Sequence, residues 1–312
     1  MAEGKSKRML LWAGLGVLVL AGAVLAAVHF SGGQGARFKE IFGRNIQMAR
    51  LVGRMRVNLS AAAEAEKAAV LAETDEASLE YAKQARESVA QVAAALAESK
   101  KLAVTPSPDA DLLQRFEQAF AEYRKLDEEV LALAVQNTNL KAQALSFDQA
   151  TAALARMEQA LAPYLDAQRP ASPAISPAAA QQSRLALRAL AEALRIQAQH
   201  APHITEKTEA RMNELEARMA ASDKLVRSSL AALAALAGQK GQAGQAGVGP
   251  ALAAYEDFQK VTAEVLRLSR QNTNVRSLAL TLDRKTKALA MCEEVLTALE
   301  EKVHADMAKA TR

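Results

Sequence analysis

The sequence predicts an all-α protein: an N-terminal transmembrane helix followed by two tandem up-down four-helix bundles. Three observations predict it. Half of the 312 residues are hydrophobic while aromatics make up only 4%, a bias toward Ala and Leu without the β-branched, alternating runs that strands need. Apolar residues recur along the chain with 4-3 spacing, the period of helices that share a core. And EVLALAVQNTNLKAQALSFD, ending at Asp148, returns as EVLRLSRQNTNVRSLALTLD, ending at Asp283, with 11 of 20 positions identical.

The N-terminus comes first. Residues 1–8, MAEGKSKR, carry Lys5, Lys7 and Arg8, and residues 9–30 contain no formal charge. Twenty-two such residues suffice to cross about 30 Å of hydrocarbon as a helix. The preceding cations favour a cytoplasmic N-terminus, with the remainder exported across a bacterial-type inner membrane. A cleaved signal peptide ending near Val24-Leu25-Ala26 is the rival reading, although an uncharged run of this length exceeds the usual signal core.

The duplication then organises the rest. A first unit spans 36–165, a Pro-rich linker 166–177, and a second unit 178–311. Breakers at 72–78, 104–110 and QNTN divide the first unit into helices at about 36–73, 75–103, 109–136 and 138–163. The second unit divides at 200–209, 238–250 and QNTN into helices at about 179–203, 207–237, 250–271 and 273–310. At 72–78 and 200–209 a Thr precedes acidic residues, the composition of a helix start.

Each helix has its seam. The first reads Met48, Val52, Met55, Leu59, Ala62; the last reads Leu278, Leu282, Lys285, Leu289, Cys292, Leu296, Leu299, Val303, with Lys285 as its one interruption. Its counterpart in the first unit is Phe147, Ala150, Leu154, Met157, Leu161, Tyr164. Cys292 thus sits at a core position, and as the only cysteine it makes no intrachain disulfide.

The two QNTN copies, Asn137, Thr138, Asn139 and Asn272, Thr273, Asn274, admit two readings. As corners they end one helix and cap the next by accepting bonds from its free N–H groups. Alternatively, the seam Leu126, Val130, Leu133, Asn137, Leu140, Ala144, Phe147 keeps its phase through the motif. In that case each copy lies inside a helix of about 60 residues, in one long four-helix bundle with a register-fixing Asn layer.

Several function classes find no footing. A net charge of +4 from 39 basic and 35 acidic residues, with no basic block interleaved with aromatics, does not point to nucleic acid. No phosphate loop, nucleophile elbow or HExxH motif is present, so no enzyme and no cofactor is expected. His200 and His203 have metal-ligand spacing, but Pro202 between them and the lack of a neighbouring Cys or carboxylate argue against a metal.

The segment EAEKAAVLAETDEASLEYAKQARESV, the Phe120-to-Tyr123 helix, the polar QNTN turn and the Ala/Leu-rich return helix resemble the four-helix-bundle sensor domain of methyl-accepting chemotaxis proteins, twice over. The resemblance implies a membrane-anchored extracytoplasmic sensory module that binds its ligand near a dimer interface, as a homodimer or with a receptor partner. The two units are then expected to pack on each other as an intrachain copy of the family's dimer. The sequence given shows no second span or methylation helices after Val303, so the expected module lacks its own signalling output. ARLVGRMRVNLS (49–60) also partly resembles the first-helix motif of nitrate- and pilus-type sensors. Within it Arg50 and Arg54 are one turn apart, with Arg56 on the next face; paired across a dimer, such a set suits bidentate recognition of a small anionic ligand, a carboxylate or oxyanion. The contrasting reading is a solvated flank that balances Glu64 and Glu66. An anchored helical scaffold with no small-molecule ligand is the alternative function.

Overall fold

A computed structural model describes residues 35–165, 176–238 and 248–310. The anchor expected at 9–30 and the linker core lie outside these residues. Among the described residues there are only helices and short connections, and no helix is long and apolar enough to cross a membrane. The first repeat supplies α1 (Gly35–Leu71), α2 (Asp75–Leu102), α3 (Pro108–Ala134), α4 (Thr138–Leu145) and α5 (Thr151–Leu165). The second supplies α6 (Pro177–Thr205), α7 (Glu209–Gly238), α8 (Val248–Gln271), α9 (Thr273–Leu280) and α10 (Thr286–Ala310).

Helix starts follow local chemistry. Thr74 Oγ1 accepts the Ala77 N–H at 3.1 Å, with Asp75 and Glu76 in the first turn of α2. Ser107 Oγ accepts from Ala110 at 3.2 Å, and Ser176 Oγ from Ala179 at 3.2 Å, with Pro177 opening α6. Each satisfies an N–H that the helix itself leaves open.

The compact units cut across the repeats. The unit boundaries do not fall at 36–165 and 178–311; among the described residues one unit takes those within 35–67, 81–127 and 283–310, the other those within 68–80 and 128–282. The first core therefore joins Val52, Met55 and Leu59 of α1, Val92 and Leu96 of α2, Phe116, Phe120 and Tyr123 of α3, and Cys292, Leu296 and Leu299 of α10. The second joins Met157 and Leu161 of α5 with Ala189 and Ile196 of α6, Val226 and Leu230 of α7, and Tyr255 and Phe258 of α8. Each of these two cores is built by four long helices, three from one repeat and the last from the other. Periodicity reports which face of a helix is buried, not which helix buries it, so the exchange leaves no mark on the seams.

No helix of about 60 residues forms at either QNTN. Asn137 (φ 50°, ψ 36°) and Asn272 (φ 53°, ψ 38°) are left-handed, which stops the preceding helix and redirects the chain. Asn tolerates this conformation better than most non-glycine residues.

The return helix is not uniform either. Ser146–Ala150 and Thr281–Lys285, equivalent stretches of the two repeats, are π-helical turns. One extra residue per turn rotates everything upstream relative to the seam. That corrects three core assignments: Phe147, Leu278 and Leu282 are 64%, 39% and 68% exposed. Lys285, expected to interrupt the seam, is buried in it.

Candidate functional site

The two QNTN motifs meet. Thr138 donates its backbone N–H to Thr273 Oγ1 at 3.2 Å, and Thr273 donates its own to Thr138 Oγ1 at 3.2 Å. Asn139 N–H goes to Asn274 Oδ1 at 3.1 Å, and Asn274 N–H to Asn139 Oδ1 at 3.2 Å. Neither Asn137 nor Asn272 makes a side-chain cap bond to its own helix. The first N–H groups of α4 and α9 are thus capped by side chains of the other copy, where the sequence predicts capping within each copy. Asn274 Nδ2 to Asn137 Oδ1 (3.0 Å) and Asn139 Nδ2 to Asn272 Oδ1 (2.8 Å) close the network.

The rim of this network is charged. Asn137 Nδ2 donates to Asp75 Oδ1 at 3.0 Å, and Lys141 reaches Asp75 Oδ2 at 2.8 Å. Hydrogen bonds from Lys141 and Asn137 hold the Asp75 carboxyl below the usual carboxylate range. An open groove of about 720 Å3 lies alongside, lined in part by Gln136, Lys141, Asp148, Arg267 and Gln271. Its cations are already matched, Lys141 by Asp75 and Arg267 by Glu264 at 2.6 Å. It offers an anion little uncompensated charge.

The arginine set divides. Arg50 and Arg54 line a groove of about 380 Å3 with Gln47 and Leu51 of α1 and Glu98, Lys101 and Leu102 of α2. Arg54 lies 3.7 Å from Glu98, while Arg50 and Lys101 make no ion pair among the described residues. The groove therefore has apolar walls, one compensated and two uncompensated cations, and the Gln47 amide. Arg56 points elsewhere: its guanidinium donates to Glu300 at 2.9 Å and Thr297 at 3.1 Å on α10. Glu66 does not balance these arginines, because it is 1% exposed and bonded to Lys285.

Lys101 and Glu98 escape a sequence reading for a simple reason. They face Arg50 and Arg54 only because α1 and α2 fold back on each other across residues 72–74. A pair of lysines at a helix end otherwise reads as complementing the helix dipole.

The histidines are structural. His203, buried, hydrogen-bonds Ser269 Oγ at 2.8 Å and Glu216 Oε1 at 2.9 Å, and Arg270 also donates to Glu216 at 2.7 Å. His200 bonds Ser146 Oγ at 2.9 Å, bracing the π-turn, and stacks on Phe258. Burial, with a smaller contribution from His203, pulls the His200 pKa down to about 4.

Residues 13–182 match the model of a four-helix-bundle sensory module for signal transduction. The match covers more than half of the chain. The chain belongs to this family. No curated protein matches the chain. Members of the four-helix-bundle sensory family are extracytoplasmic sensory domains of chemoreceptor-type membrane receptors, which often dimerise, and the family is not one of enzymes. The matched segment includes all of α1 to α5, yet in this chain those helices are shared between two compact units. The second repeat lies mostly beyond the match, and its own QNTN corner repeats the geometry of the first.

Proposed function

We propose that this chain is a membrane-anchored, extracytoplasmic sensory module that binds a small anion and works with a partner. The carrying observation is the groove of α1 and α2, where Arg50 and Lys101 stand unpaired beside Arg54, Gln47 and the apolar Leu51 and Leu102. A carboxylate or oxyanion with a short apolar body suits that lining, since guanidinium groups hold such oxygens in bidentate fashion. The charge-free run at 9–30 behind Lys5, Lys7 and Arg8 supports the anchor and its orientation. The inner membrane of a bacterial cell, with the bulk of the chain outside the cytoplasm, is the location this implies. A homodimer or a receptor would supply the partner.

A thermal-shift screen of the chain against amino acids, dicarboxylates and inorganic oxyanions tests the reading. A saturable rise in Tm that Arg50→Ala removes and Arg56→Ala preserves is the expected result. A rise that survives Arg50→Ala together with Lys101→Ala sinks the site.

The anchored-scaffold reading has one observation in its favour. Phe147 and Leu194 stand exposed around a groove of about 400 Å3 in the unit containing α5 and α6. A scaffold predicts no ligand-induced change in Tm and a partner retained in pull-downs that Leu194→Glu releases.

A further inference from the structure

Deep in the unit formed by α1, α2, α3 and α10 lies an ionic cluster that neither capping nor ligand binding uses. The Lys285 ammonium donates to Glu66 and to Asp127, and the three residues are 3%, 1% and 3% exposed. The same ammonium sits 3.8 Å from the centroid of the Tyr123 ring, whose buried hydroxyl finds no hydrogen-bond partner. Each element contributes identifiable groups: Glu66 from α1, Tyr123 and Asp127 from α3, Lys285 and Cys292 from α10. The fully buried residues that α2 adds to this unit, Ala82, Ala85, Val92, Ala95, Leu96 and Ser99, carry no charge.

Two features make the cluster short of one proton. With both carboxylates ionised against one ammonium it holds a net negative charge out of water, a costly state. And the Lys285 ammonium bonds both carboxyl groups at once, which brings their two negative charges side by side. Like charges held that close out of water favour a proton on one of the two carboxyl groups.

We propose that Glu66, Asp127 and Lys285 form a buried proton-binding site that takes up one proton under mildly acidic conditions and so gives this unit a pH-dependent core. The proposal is independent of the small-anion reading, since it involves no residue of the Arg50 groove. Burial, followed by the Glu66 charge and opposed by Lys285, raises the Asp127 carboxyl to about 6.

The other compact unit provides an internal control. At the positions equivalent to Tyr123, Asp127 and Lys285 it has Phe258, Thr262 and Ala150, and His200, stacked on Phe258, stands in the place of Glu66. No carboxylate pair is possible there. The proton site is a property of one unit only.

The test is a carboxyl carbon-13 NMR titration of the full chain with labelled Asp. One Asp resonance, missing from the Asp127→Asn spectrum, should titrate with a midpoint about 6. In Glu66→Gln the midpoint should fall by about one pH unit, because the neighbouring negative charge is gone. Should Asp127→Asn fail to fold, the Glu66→Gln displacement assigns the resonance instead. A spectrum in which every Asp titrates in the ordinary carboxylate range, or a raised midpoint that Glu66→Gln leaves in place, overturns the proposal.

Discussion

Thr138 and Thr273, 135 residues apart, each accept the other's backbone N–H at 3.2 Å, and their hydroxyl oxygens lie 3.1 Å from one another. Two helix starts that would each need a cap of their own cap each other instead. Because both partners are buried, loss of either hydroxyl strands an N–H that water does not reach.

Thr138→Val and Thr273→Val should each lower stability by about 1–2 kcal/mol in urea denaturation. The double variant should cost less than the sum of the two. Additive effects in that double-mutant cycle would show that the two hydroxyls act separately.

The left-handed corners predict an order of substitutions. Asn272→Ala should destabilise more than Asn272→Gly, by about 1 kcal/mol, because both lose the amide bonds to Asn139 and Glu206 but only Ala strains the backbone. Denaturation midpoints of the two variants decide it.

Lys285→Met leaves Glu66 and Asp127 facing each other with no cation between them. A loss of about 3–5 kcal/mol is expected at neutral pH. The loss should shrink on acidification from neutral pH, because without the ammonium that holds it down the Asp127 carboxyl takes its proton more readily than in the native cluster. Urea titrations at two pH values suffice, and a penalty independent of pH would contradict the cluster's geometry.

His200 works in the opposite direction. Its folded pKa of about 4 lies below the unfolded value of 6.5, so the unfolded chain binds the proton first. Stability is whole above 6.5 and falls by about 1.4 kcal/mol per pH unit as pH drops toward 4. Asp127, raised above its unfolded value, instead adds stability as pH falls through about 6. His200→Phe should flatten the acid limb of the Tm–pH curve, whereas Asp127→Asn should steepen it.

Cys292 is fully buried and its thiol is pushed up to about 12, chiefly by burial. It should resist thiol reagents in the native chain and react stoichiometrically in denaturant. Rapid labelling without denaturant would show that α10 leaves its core.

Much of the fold was legible because helices advertise themselves locally. Thr74, Ser107 and Ser176 mark helix starts, and the seams from Met48 to Leu59 and from Cys292 to Val303 name core faces that are buried. Phe147, Leu278 and Leu282 were misread because nothing in a 4-3 pattern announces an extra residue in a π-turn. Arg50 and Arg54 share a groove, but Lys101 joins them only through tertiary folding. Lys285 carried the one clear signal, a charge in an apolar seam. Its partners, 219 and 158 residues away, do not announce themselves.

The exchange of last helices also sets an order of events during synthesis. Residues 128–282 hold nearly all of one unit, so its core closes from a nearly contiguous stretch. The other unit waits: Val52, Phe116 and Tyr123 emerge from the ribosome long before Cys292 and Leu296 arrive to cover them. Closing that gap in sequence is an entropic task that slows folding and leaves an apolar face uncovered meanwhile. The early helices of that unit are therefore the ones most in need of chaperoning, and α10, made after all of its partners, is the one that relieves them.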